Sequence, residues 1–152
     1  MKNKFLTNYF SDLSSLLYNS QNDFSKLVEI KKIFQNCSKK NKKIIFCGNG
    51  GSAATASHVA VDFSKNAKIR SINFNESDLI TCLSNDYGYE NWLSAAIKIY
   101  ADKGDVLVLI SCSGKSPNLL KALKAAKKKN LETICLTGID IKNPLKKMNN
   151  KG

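Results

Sequence analysis

At 152 residues, with 43% hydrophobic and 24% charged residues, the chain has the size and composition of one globular domain, which excludes a disordered chain. No segment approaches the roughly 20 consecutive apolar residues that a membrane-spanning helix requires. The formal net charge of +12 is carried by lysines and a single arginine, Arg70, whereas bidentate phosphate and base contacts favour arginine. The charge therefore disfavours specific nucleic-acid recognition and fits a solvated surface or an acidic small-molecule ligand.

Two amphipathic helices are predicted at the start of the chain. Apolar residues recur at spacings of three and four from Phe5 to Leu17 and again from Phe24 to Phe34. This is the period of a helix with one apolar face. We therefore assign residues 1–38 to an N-terminal helical pair and residues 39–152 to a single compact domain.

The remaining chain alternates strands and helices. Short apolar runs predict strands at 43–47, 69–73, 106–110 and 133–136. Helices are predicted from residue 52, over 77–83, over 89–100 and over 117–129, with a loop at 85–88. This alternation predicts an α/β fold with a doubly wound, mainly parallel sheet flanked by helices. After Gly138 the polar tail offers no convincing element to cover the edge of the sheet.

The cysteines indicate a reducing compartment. They are five in number and include no C-x-x-C pair, namely Cys37, Cys47, Cys82, Cys112 and Cys135. An odd count with some thiols in apolar strands is typical of reduced, buried cysteines. Residues 1–10 lack the apolar stretch of a signal peptide, so a cytoplasmic location is expected.

A glycine-rich loop, Gly48 to Ser52, follows the first predicted strand and opens a helix. Glycines allow a ligand to approach the backbone, and the N–H groups at a helix N-terminus favour an anion. A tight turn that needs glycine only for its geometry is the simpler alternative. The loop also matches the loose dinucleotide pattern G-x-G-x-x-A, but no acidic residue closes the second strand, so nucleotide binding is a minor alternative.

A serine-rich loop, Ser111 to Ser116, follows the most apolar strand and precedes Pro117. Its hydroxyl and N–H groups fall where the carboxyl ends of parallel strands open, which is where ligands bind in such sheets. Two polar loops of this kind after two strands predict one shared polar-ligand site.

Three motifs in order resemble those of sugar isomerase (SIS) domains, and among these the phosphoheptose isomerases, also called sedoheptulose 7-phosphate isomerases. They are Cys47–Ser52 followed by His58, then Ser84–Tyr89, then Gly104–Leu107 leading into Ser111–Ser116. The similarity extends over nearly the whole chain and implies the SIS fold.

The resemblance also implies roles for individual residues. Ser111, Ser113 and Ser116 would hold a phosphate, with Cys112 in the same loop. The sugar would be lined by Asn49, Gly50, Gly51, Ser52, Asn85 and Asp86. His58 corresponds to a metal-binding histidine, and Asp62 corresponds to a neighbouring glutamate, which makes Asp62 the catalytic candidate and a second ligand for an implied zinc ion.

The sequence departs from the family in three places. Asp62 replaces glutamate and shortens the carboxylate by roughly 1.5 Å, a change that can slow proton transfer. Lys115 stands where asparagine is common. A final strand and helix that carry a glutamine and a histidine have no counterpart before Gly152, so a fragment, a naturally shortened binding protein and a partner chain that supplies these groups all remain open.

Two functions follow from the resemblance. The first is an aldose–ketose isomerase that converts sedoheptulose 7-phosphate to D-glycero-D-manno-heptose 7-phosphate for heptose synthesis in lipopolysaccharide or capsule. The alternative is a non-catalytic SIS module that binds a sugar phosphate or a protein partner. A homo-oligomer, either a tetramer or a dimer, is implied in addition.

Overall fold

The computed structural model describes residues 3–138 and 142–149. The chain divides into two compact units, Met1–Lys32 and Ile33–Gly152. This division falls inside a helix, whereas the sequence analysis placed the boundary after residue 38.

The first unit contains helix α1, Lys4–Asn19, and the beginning of helix α2, Phe24–Lys39, joined by a 3₁₀ turn. Asn3 caps α1, because its Oδ1 accepts hydrogen bonds from the backbone N–H groups of Phe5 and Leu6 at 3.1 and 3.4 Å. No residue of α1 is buried, and Phe5 is 72% exposed. The predicted helical pair is present, and the apolar residues of α1 are at the surface.

The second unit is built on four strands: β1, Ile44–Cys47; β2, Ser71–Asn73; β3, Val106–Ser111; and β4, Glu132–Thr137. Their order in the sheet is β2-β1-β3-β4, and every neighbouring pair is parallel. The chain winds outwards from β1 to β2 and then returns to β3 and β4 on the other side. This confirms the predicted parallel, doubly wound sheet flanked by helices.

The helices of the second unit are α3, Gly51–Lys65; α4, Ser77–Tyr87; α5, Trp92–Tyr100; α6, Pro117–Lys128; and α7, Pro144–Asn149. The loop predicted at 85–88 is wrong, because α4 continues to Tyr87. Gly88 follows the helix as its C-cap, and its N–H donates to the Ser84 carbonyl at 2.9 Å. Among the helices that the structure describes, none is long and apolar enough to cross a membrane.

Alternate residues of the central strands bury against helices on both faces of the sheet. On one face, Ile45 and Leu107 join a cluster that includes residues of α5 and α6. On the other face, the Phe46 ring lies 5.2 Å from the ring of Phe63 on α3, and Phe63 lies 5.0 Å from Phe34 on α2. This two-sided burial explains why β1 and β3 read as continuous apolar runs.

A buried carboxylate ties the amino ends of β1 and β3 together. Asp105 is 1% exposed and accepts hydrogen bonds from the N–H groups of Lys43 and Asp102 at 3.1 and 2.8 Å. The Lys43 ammonium lies 2.7 Å from Asp105 and 2.8 Å from Asp102. Burial lowers the pKa of Lys43, but the hydrogen bonds and charges of the two aspartates outweigh it, so this pKa is raised above its usual value.

The helix α7 corrects the expectation that nothing after Gly138 covers the sheet. It packs against β4 and α6, and Leu145 is fully buried. Asn143 precedes Pro144, and its Oδ1 accepts a hydrogen bond from the N–H of Lys146 at 2.9 Å, as an N-cap residue does. Asparagine followed by proline is a helix-start signal in the sequence that the overall polarity of the tail obscured.

Candidate functional site

The two predicted loops meet at the carboxyl edge of the sheet. They follow β1 and β3, which are neighbours with Cys47 opposite Leu109. From β1 the chain continues to one side of the sheet and from β3 to the other, so the loops diverge and leave a crevice between them. Ligands of open α/β sheets bind at such a switch point.

A cavity of about 530 Å³ occupies this crevice. It is lined by seven of the residues that the sequence analysis assigned to the substrate: Asn49, Gly51, Ser52, Ser111, Cys112, Ser113 and Ser116. Thr55 and Ile110 complete the lining. Both loops therefore face one space of a size suited to a small ligand.

The first loop is shaped by a close backbone approach at Gly48. A Cβ at this position would lie 2.6 Å from the backbone carbon and oxygen of Ser52, closer than any real Cβ contact. The loop then turns into α3 through hydrogen bonds from Ser52 N to Asn49 O and from Ala53 N to Gly50 O, at 3.0 and 2.9 Å. Glycine at residue 48 thus lets the first turn of α3 fold back over the end of β1.

The second loop is stabilised by hydrogen bonds to two of its own hydroxyl groups. Ser111 is buried, and its Oγ accepts a hydrogen bond from the N–H of Gly114 at 3.1 Å. Ser113 Oγ accepts one from the N–H of Lys115 at 3.3 Å. The loop leads directly into Pro117 at the first turn of α6, where backbone N–H groups point outwards without helical partners.

Segments near the end of the chain support the second loop from behind. The N–H of Gly138 donates to Cys112 O at 3.2 Å, and that of Leu145 donates to Gly114 O at 3.1 Å. Gly114 has φ of +62°, and a Cβ there would lie 2.1 Å from the side-chain oxygen of Asn143. Only glycine fits both this backbone conformation and this contact.

Asn118 on α6 is a site residue that the sequence analysis missed. Its side chain and that of Asn49 exchange two hydrogen bonds, at 2.9 and 3.0 Å. Asn118 is only 2% exposed and shares a buried face of α6 with Ala122 and Ala126. An amide in an otherwise apolar helix face was the signal available in the sequence.

His58 and Asp62 form an exposed pair on α3. His58 Nε2 lies 3.3 Å from Asp62 Oδ2, and their side chains are 80% and 47% exposed. They fall three and seven residues after Thr55, so they continue the helix face that lines the cavity, although they are outside its lining. Asp62 also accepts a hydrogen bond from the side chain of Asn66 at 3.1 Å.

The pair alone does not complete a zinc site. A catalytic zinc ion usually has three protein ligands, and His58 and Asp62 supply two donors. Within residues 3–138 and 142–149, no group of three or more His, Cys, Asp or Glu side chains is placed to hold a metal ion.

Comparison with known proteins identifies the family. The SIS domain profile matches residues 8–138, most of the chain. The chain belongs to the SIS domain family. Phosphoheptose isomerase from Fusobacterium nucleatum is 38% identical over 120 residues, which cover 74% of this chain and 62% of that protein. The same enzyme from Buchnera aphidicola is 34% identical over 146 residues, covering 91% and 76%.

Solved structures have the same fold as this SIS domain. Phosphoheptose isomerase GmhA from Neisseria gonorrhoeae superimposes with a TM-score of 0.90 at 28% identity, covering 99% of this chain and 82% of that one. A phosphoheptose isomerase from Francisella tularensis superimposes with a TM-score of 0.89 at 24% identity. The chain spans about three-fifths of the length of three curated phosphoheptose isomerases that it matches, including that of Fusobacterium nucleatum; it covers 58–62% of each.

Besides His58 and Asp62, three residues predicted to contact the sugar are not in the cavity lining, namely Gly50, Asn85 and Asp86. Gly50 is exposed in the turn before α3, with φ of +53°. Asn85 and Asp86 lie in the last turn of α4, where Asn85 Nδ2 donates to Asp86 Oδ1 at 3.2 Å. Both side chains are exposed and turned partly towards each other.

The thiols of the SIS domain differ in their surroundings. Burial raises the pKa of Cys47 far above the ordinary thiol range, and it raises that of Cys135 to about 11. Cys82 and Cys112 are exposed, and only Cys112 of these two lines the cavity. The chain thus carries one accessible thiol inside the candidate site and another outside it.

We expect phosphate to protect Cys112 from alkylation. Cys112 lines the cavity beside Ser113 and Ser116, so an anion bound there would cover its thiol. Inorganic phosphate at ten times its Kd should then slow the reaction with iodoacetamide by about tenfold. Mass spectrometry of the labelled peptides measures both exposed thiols in one sample, with Cys82 as the internal control. Equal rates at Cys112 with and without phosphate would contradict a phosphate site in this cavity.

Proposed function

We propose that this SIS domain binds the phosphate of a sugar phosphate on its serine loop. The cavity shared by the two loops is the observation that carries this proposal. Ser113 and Ser116 line it together, and the first turn of α6 directs unpaired N–H groups to the same end. Hydroxyl and N–H donors at a helix N-terminus are a favourable environment for an anion. The net charge of +12 attracts acidic ligands in addition.

The glycine-rich loop supplies the sugar side of the proposed site. Asn49, Gly51 and Ser52 line the cavity opposite the serine loop. An amide and a hydroxyl provide both donors and acceptors, which sugar hydroxyls require. Asn85 and Asp86 remain proposed sugar contacts that would have to reach the ligand from the end of α4.

The reaction proposed is the interconversion of sedoheptulose 7-phosphate and D-glycero-D-manno-heptose 7-phosphate. A base removes a proton from C1 of the ketose while the C2 oxygen gains a proton, which gives an enediol. A proton is then delivered to C2 as the hydroxyl at C1 loses its proton and becomes the aldehyde oxygen. Asp62 is the proposed base, because its carboxylate lies on the α3 face that continues from the cavity. His58, 3.3 Å from it, is placed to share its proton.

The cellular role, metal and assembly are proposed from the relatives. The product would enter heptose synthesis for lipopolysaccharide or capsule in the cytoplasm. A zinc ion at His58 and Asp62 would need at least one further ligand.

A homo-oligomer is supported by the exposed apolar side chains of α1, such as Phe5 and Leu16, which are 72% and 66% exposed. Sedimentation velocity measures this directly, and a monomer at micromolar concentration would contradict it.

A second candidate is an SIS module that binds the sugar phosphate without converting it. The exposure of His58 and Asp62, and their position outside the cavity lining, favour this alternative. An exposed carboxylate in water is a weak base for a carbon-bound proton. Binding and turnover must therefore be measured separately.

Ser113→Ala is expected to weaken binding of both inorganic phosphate and sedoheptulose 7-phosphate by about 10- to 100-fold, the loss of one hydrogen bond to a charged group. Titration calorimetry measures both affinities. Ser38→Ala is the matched control, because Ser38 is exposed at the end of α2 and precedes the amino end of β1, whereas both loops lie at the carboxyl ends of strands. Unchanged affinity in Ser113→Ala would refute the phosphate assignment.

Turnover is tested by following aldose formation from sedoheptulose 7-phosphate, with and without added zinc. Wild-type activity that Asp62→Asn removes while binding persists would support the isomerase. Saturable binding without turnover under either condition would refute the isomerase for this chain and favour the binding module. Absence of binding would refute both.

A further inference from the structure

The amide pair between Asn49 and Asn118 joins the two sides of the cavity. Asn49 lies in the glycine-rich loop, and Asn118 lies in the first turn of α6, 69 residues later. Each side chain donates one N–H and accepts one at 2.9–3.0 Å. A carboxamide has two N–H groups and two acceptor positions, so this exchange leaves Asn49 with one of each for the cavity.

Asn118 is not explained by the needs of its helix. Asparagine is a poor helix former, and this one is 2% exposed on the face of α6 that otherwise carries alanine and leucine. Burying an amide is unfavourable unless its hydrogen bonds are replaced. Here they are replaced by Asn49, which indicates that the pair, and not the helix, accounts for asparagine at this position.

The side chain of Asn49 needs support from another segment, because its neighbours in the chain offer no side chains to hold it. It stands between Gly48 and Gly50, and glycine residues leave the backbone more conformational freedom than other residues do. Its side chain is half-buried and lines the cavity. A freely rotating amide would lose conformational entropy when it binds a ligand, whereas a held amide has already lost it.

We propose that Asn118 is a positioning residue that holds the Asn49 amide in one orientation towards the ligand. Its two hydrogen bonds fix the plane of the Asn49 amide and restrict its rotation. Asn118 belongs to α6, whose first turn follows the serine loop. The same contact therefore fixes the position of the glycine-rich loop, on the sugar side, relative to the serine loop, on the phosphate side. The effect on ligand affinity rests on the proposed sugar-phosphate function.

The first test needs no ligand. In ¹H–¹⁵N spectra of the full chain, the Asn49 side-chain proton that is donated to Asn118 is expected to resonate away from the free-amide position and to exchange slowly with solvent. Asn118→Leu should return this signal to the free-amide position. Leucine has the same branched arrangement of side-chain heavy atoms as asparagine, is larger, and has no hydrogen-bonding atoms. Wild-type signals already at the free position would overturn the proposal, whatever the protein binds.

The second test is a double-mutant cycle on binding of sedoheptulose 7-phosphate. Asn118→Leu should weaken binding by about tenfold in the wild-type background and by less than about twofold in an Asn49→Ala background, because its effect passes through Asn49. A purely structural role predicts the same loss in both backgrounds. Equal losses would therefore overturn the proposal.

Two further measurements keep the outcomes distinct. Ala122→Gly weakens α6 without touching the amide pair, so it should lower Tm while leaving the Asn49 signals unchanged. If Asn118→Leu does not fold, Asn118→Asp retains one acceptor for Asn49 and should shift the same signals in part. Failure of the wild type to bind sedoheptulose 7-phosphate would remove the proposed function, while the spectra would still decide whether Asn118 holds Asn49.

Discussion

Gly114→Ala is expected to abolish phosphate binding, raising Kd by about 100-fold or more. Alanine at φ of +62° is strained, and its Cβ would lie 2.1 Å from Asn143 Oδ1. Strain and overlap of this kind each amount to roughly 1–3 kcal/mol, so the loop must move. Because Gly114 N–H donates to Ser111 Oγ, its movement displaces the hydroxyls that face the cavity. Titration with inorganic phosphate measures the loss.

Gly138→Ala is the matched control for this variant. A Cβ at Gly138 would meet Cys112 O at 3.7 Å, an ordinary contact, in a neighbouring part of the same structure. We expect near wild-type phosphate affinity and Tm for Gly138→Ala. If Gly114→Ala also kept both values, the packing of Asn143 against the serine loop would not be needed for its shape.

Asp105→Ala is expected to lower the free energy of unfolding by about 3–5 kcal/mol, the usual result of removing one partner of a buried ion pair. The substitution leaves the Lys43 ammonium, 12% exposed, without its closest counter-ion, and leaves the N–H groups of Lys43 and Asp102 without their acceptor. Urea denaturation measures the change. Asp102→Ala removes an exposed partner of the same lysine and should cost much less; equal effects would contradict the argument from burial.

The pH dependence of the free energy of unfolding should reflect the ion pairs of Lys43 with Asp102 and Asp105. The pKa of Lys43 is raised in the folded state, so its contribution is complete below the ordinary value of 10.5 and is lost as the pH rises through the folded pKa. The pKa of Asp102 is lowered by its hydrogen bond and charge interaction with Lys43, so its contribution is lost as the pH falls below the ordinary 3.8. Unfolding measured across this range should show a smaller alkaline decline in Asp105→Ala than in the wild type.

Much of the fold was predictable because each central strand carries its own signal. The bounds of all four strands were predicted within two residues at each end, since short apolar runs such as 106–110 are typical of buried parallel strands. Both cavity loops were found too, because glycine and serine cluster where strands end. The family resemblance gave the order of these motifs, and the sheet confirmed the architecture that it implies.

The parts that could not be predicted depend on contacts between distant segments. The Asn49–Asn118 pair links residues 69 positions apart, and an asparagine on an apolar helix face signals a partner without identifying which residue it is. Asn85 and Asp86 were placed in a loop because both residue types favour turns, yet α4 continues to Tyr87. The helix α7 was missed because Leu145 is its single fully buried apolar anchor in a lysine-rich segment.

The sheet order has a consequence for how the cavity forms during synthesis of the chain. β1 and β3 are neighbours in space but are separated by β2 and three helices in sequence, so the cavity is made of contacts with a high loop-closure entropy. A nascent chain that ends before Asn118 has the glycine-rich loop without its partner. Phosphate binding should therefore arise late, with completion of the sheet, and a bound ligand should slow unfolding of the whole second unit together instead of protecting one loop.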